Sequence, residues 1–67
     1  MLYLLAYAYF VKGSRNEALE ALDQALTADF DVWPDFLEYD KELLANDTQI
    51  LELIEQHKRE QNTNPTE

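Results

Sequence analysis

The side chains here with chemistry to offer are one Ser, one His and 14 carboxylates, with no Cys. Nucleophilic catalysis needs a base beside the nucleophile. Ser14 is the sole serine, and its place at the start of a helical pattern already explains it as a cap; His57, the sole histidine, has no nucleophile nearby to activate and no sequence-local zinc partner. Asp29, Asp31, Asp35 and Asp40 fall faintly at calcium-loop spacing. Trp33 and Pro34 stand where an oxygen ligand and the sharp-turn glycine are needed, so a solvated acidic connector is the expectation. Asn46-Asp47-Thr48 matches a glycosylation acceptor, but a helix cap accounts for it more simply. No enzyme, cofactor or metal is expected.

Aromatic residues carry more information. Tyr3, Tyr7 and Phe10 recur at i, i+4 and i+7, one stripe along a helix, with Val11 beside them. They lie in an apolar run from Met1 to Val11 that is too short for a membrane span, which needs about 20 residues. No basic stretch precedes the run, and no small-residue cleavage site follows it, so it reads as a packed helix and not as a signal segment. The location leans to the cytoplasm only by this absence.

Such a stripe must be positioned by helices, and the chain supplies their punctuation. The first should run from about Leu2 to Lys12 and close at Gly13, the only glycine. Ser14 and Glu17 then have capping-box spacing, opening a second helix that buries Ala18, Leu19, Leu22, Ala25 and Leu26 and stops near Ala28. Asp29 to Trp33 is a connector, since Pro34 disfavours a helical Trp33. A short helix from Pro34 to about Tyr39, with Phe36 and Leu37 inward, precedes a turn at Lys41 to Ala45 that brings in Leu43 and Leu44; the two could fuse. Asn46 or Asp47 caps a last helix carrying Ile50, Leu51, Leu53, Ile54 and His57 to Lys58 or Arg59. The fold class expected is all-α: one helical domain over residues 1–60 and a flexible polar tail over 61–67.

Leu5, Ala6, Tyr9, Gly13, Ala18, Leu22 and Ala25 together resemble the 34-residue tetratricopeptide repeat (TPR), in which small residues let two antiparallel helices approach and bulky ones fill the gaps. The likeness covers residues 2–30. Ala6 stands where Gly is commonest, Leu2 where an aromatic is common and Phe30 where Pro often ends the repeat, which implies that no regular repeat follows. Residues 34–60 resemble, more loosely, the helices that close bacterial TPR arrays. The resemblance implies a scaffold for protein or peptide partners. It places Tyr3, Tyr7, Phe10 and Val11 on the groove-lining face of the first helix and makes them the candidate partner-binding residues; the alternative is that they pack on a preceding repeat, a second chain or the closing helix. It also implies the carboxy-terminal piece of a longer array or a self-associating chain, because a lone repeat leaves an apolar face uncovered.

Charge narrows the partner. The formal net charge is −9, and Lys41 is the only basic residue between Glu17 and Glu55. Nucleic acid needs a Lys/Arg face to displace counterions, so it is excluded as an expectation; a partner of basic character suits the field better.

Overall fold

The computed structural model describes residues 2–62 and contains no strand among them. Helix α1 spans Leu2–Lys12, α2 Arg15–Ala28, α3 Trp33–Glu38 and α4 Thr48–Asn62. The architecture is all-α, as the periodicity predicts.

Gly13 takes φ +93°, the left-handed conformation that closes α1. Its amide bonds to the Phe10 carbonyl at 3.2 Å, and the Ser14 amide reaches back to Tyr9 at 3.0 Å, the two bonds of a Schellman end. The capping box does not form. Ser14 sits at ψ 76°, short of the extended geometry that aims a hydroxyl at the first free amides, and makes no side-chain cap bond. Its carbonyl still starts α2 by accepting from the Ala18 amide at 2.9 Å.

Between α1 and α2 the small residues act as the spacing requires. Ala6, Ala18 and Ala25 are buried with Leu22, and the absence of larger side chains there lets the two helices form a close antiparallel pair. Leu5, expected on this packed face with Ala6 and Tyr9, points out to solvent.

A 3₁₀ turn at Phe30–Val32 leads directly into α3, so Trp33 is helical at φ −57°, ψ −35° despite the proline after it. Contact of its ring with Phe30, and Lys58 lying over it 5.2 Å from the centroid, hold it there against the local preference. Asp40 then breaks the chain into an extended conformation and accepts from the Leu43 amide, which is why α3 does not fuse with the wide π-type turn at Lys41–Ala45. That turn delivers only Leu44 to the core; Leu43 is exposed.

Asp47 caps α4 by accepting from the amides of Gln49 and Ile50 at 3.0 and 3.2 Å. Ile50 and Ile54 are buried, Leu53 and His57 half-buried, and Leu51 is exposed. With no Gly or Pro to stop it, α4 continues past Arg59 through Gln61 and Asn62. Those two residues are helix and not tail; the rest of the expected tail, positions 63–67, lies outside the described residues.

The core gathers around Phe36, which is buried with Leu22, Leu26, Leu44 and Ile50. Polar ties join α2 to α4 at two levels. Arg15 bonds Asp47 at 2.5 Å and also reaches the Gln49 side chain, while His57 Nε2 meets Asp23 Oδ1 at 2.6 Å. Start meets start and middle meets later turn, so α4 runs parallel to α2.

Candidate functional site

Helix α1 is apolar all round from Leu2 to Val11, and the molecule covers only part of it. The aromatic stripe is the covered part. Tyr3 and Phe10 are 6% and 8% exposed, and both lie against Phe36, with ring centroids 5.5 and 6.5 Å away. The Arg15 guanidinium closes over Phe10 at 5.8 Å. Tyr7 is half-buried edge-on to Tyr39 at 5.7 Å. Val11 alone of the four is open, at 61%. Tyr3 and Phe10 are therefore covered from within the chain, the packed alternative: α3 lies over them, because Phe36 meets both rings there and leaves water in doing so.

What remains open is the opposite, aliphatic side. Leu4 is 52% and Leu5 45% exposed, and with Leu2 and Ala8 they line a shallow apolar trough. Leu4, Ala8 and Val11 stand at i, i+4 and i+7, so the open strip runs the length of α1. Neither Leu4 nor Ala8 stands out by residue type or spacing. The available signal was the absence of any polar residue from Leu2 to Val11, since a helix apolar on every side exceeds what one neighbour can cover.

At the amino end of α1 the trough adjoins a more enclosed cleft of about 300 Å³, lined by Leu2, Tyr3, Leu4, Ala28, Val32 and Tyr39 together with Asp29. The Tyr3 hydroxyl donates to the Asp29 carbonyl at 2.6 Å, tying α1 to the connector and fixing the cleft floor. Burial first, and then the nearby Asp29 and Asp31 carboxylates, push the Tyr3 phenol up to about 12. At neutral pH it is therefore a fixed donor. No basic side chain among the described residues pairs with Asp29 or Asp31.

Asp47 is the other shifted group. Partial burial alone would raise it, but the hydrogen bonds from Arg15, the amides of Ile50 and Gln49 and the Arg15 charge hold it below the usual carboxylate range. This is a structural tie. Asp29, Asp31, Asp35 and Asp40 follow the connector and α3 without converging, and no group of three or more His, Asp or Glu gathers at metal-binding distance among the described residues. Among those residues no helix is long and apolar enough to cross a membrane. The chain matches no family model, no curated protein and no solved structure.

Proposed function

We propose that the chain is a non-catalytic protein-interaction module of the TPR type, docking a helix of a partner protein on the aliphatic side of α1. The observation that carries this is the open strip of Leu4, Leu5, Ala8 and Val11 on a helix whose other side is already filled by Phe36. Apolar strips rimmed by polar surface mark interaction sites, and a helix laid on them is read through residues at this spacing. The TPR comparison gains support from the ties between α2 and α4: Arg15 with Gln49 and Asp23 with His57 are each offset by 34 residues, the length of one repeat. In that frame α4 stands as the second helix of a following unit, and α3 with the wide turn replaces its first helix, interrupted at Asp40.

A helical-peptide display library screened against the immobilised chain tests the reading, with Ala8→Glu as control. Ala8 is exposed, so the variant keeps its fold while placing a charge in the middle of the strip. Selected peptides should lose binding to the variant; peptides that bind both proteins alike would sink the proposal.

Self-association is the second reading, favoured by one observation. The strip carries no charge, so two acidic chains can meet there without opposing their carboxylates. Sedimentation and melting over a wide concentration range decide it: a dimer raises the melting temperature with concentration, and a monomer with a constant melt excludes it.

A further inference from the structure

We infer that the cleft at the amino end of α1 selects the partner, accepting one bulky apolar side chain that is flanked by Lys or Arg. This rests on the docking reading above and adds the chemistry of the docked segment. The cleft is at the small end of the range for ligand pockets, with room for an anchoring side chain and not for a folded ligand. Its walls are mostly apolar, formed by Leu2, Leu4, Ala25, Ala28, Val32 and the ring of Tyr39, and they supply contact for an apolar side chain.

The charged groups at the cleft have one sign. Asp29 lines the cleft, and the Asp29 and Asp31 charges both act on the Tyr3 hydroxyl. Neither carboxylate has an ion-pair partner among the described residues, unlike Asp23, Glu38, Asp47 and Glu55, each of which has one. The Tyr3 hydroxyl is already spent on the Asp29 carbonyl, so it offers an incoming acid no donor. An apolar anchor beside cations matches the cleft and its charges; an acidic segment would meet two unscreened carboxylates. The same charge sense disfavours a second copy of this chain at the cleft, since the formal net charge is −9.

The probe is an acetylated, amidated hexapeptide with a Leu-Phe pair between two Lys pairs, titrated into the isotope-labelled chain and followed by amide chemical shifts. A matched peptide with Glu in place of Lys is the control. Shifts should move at Leu2, Ala28, Val32 and Tyr39, and the Glu peptide should leave them unmoved. Asp29→Asn with Asp31→Asn should weaken binding roughly fivefold per carboxylate at low salt, with less effect at high salt. Ala28→Phe, at an exposed wall position, should fill the cleft and abolish binding. Binding that ignores Ala28→Phe, binding that ignores the Asp substitutions, no binding, or shifts at the same residues produced by concentrating the chain alone would each overturn the inference. If library peptides then still depend on Ala8, the docking reading survives without it; if they do not, both fall.

Discussion

The two sides of α1 are nearly equal in hydrophobicity and opposite in fate. One carries Tyr3, Ala6 and Phe10 and is buried under α2 and Phe36; the other carries Leu4, Leu5, Ala8 and Val11 and meets solvent. Apolar character therefore did not decide which side became core. Shape did. Ala6 lets α2 approach closely, and that approach leaves the aromatic rings beside it as a shelf of the right size for Phe36. On the other side Ala8 is small as well, but it has no row of aromatic rings beside it, and no element among the described residues lies on it.

This contrast can be broken most severely at Phe36. Phe36→Ala removes a fully buried ring in contact with three others and should cost about 3–5 kcal/mol by chemical denaturation. Because it uncovers Tyr3 and Phe10, it should also raise binding of an apolar dye. A loss below roughly 1 kcal/mol would mean that α3 does not cover the stripe in solution.

Next comes the close approach itself. Ala18→Leu forces a larger side chain into a buried position and should cost about 1–3 kcal/mol, whereas Ala28→Leu at the exposed end of α2 should cost much less. Equal, mild effects would refute the tight hairpin.

Smaller effects are expected from the polar ties. Asp47→Ala removes the α4 cap and the Arg15 partner and should cost roughly 1 kcal/mol at neutral pH. Because the folded state holds this carboxyl below its ordinary value, its contribution is present above about pH 4 and is lost as pH falls through the lowered folded value. The wild-type and Asp47→Ala stabilities should then converge in acid, as measured by urea midpoints across pH. At the alkaline end the sign reverses: Tyr3 is raised, so stability should decline from about pH 10, where an unfolded tyrosine ionises, toward 12. Tyr3→Phe should flatten that decline while losing about 1 kcal/mol at neutral pH through its bond to Asp29.

The smallest stability effect belongs to the open side. Ala8→Glu should change stability by no more than about 0.5 kcal/mol, since nothing within the chain covers it. A large loss would show that the strip is buried by self-association, and sedimentation of the variant would then show the monomer.

Local signals in the sequence determined that the chain would be helical and where several of the helices end, though not the start of α3 at Trp33 or the end of α4. Gly13 could close α1 because it alone tolerates the positive φ, Asp47 could cap α4 because its carboxylate reaches free amides, and the small residues Ala6, Ala18 and Ala25 required a close pair of helices. The first two are short-range properties, set by a residue and its neighbours within a turn, and the third follows from the helical spacing of small residues. Only the tertiary structure decided which side of α1 was covered, that Leu43 and Leu51 faced water, and that Arg15 and His57 turned to α4. Each outcome depends on where a distant element sits after packing. A run such as Leu2–Val11, apolar at every position, carries no periodic contrast from which that position could be read.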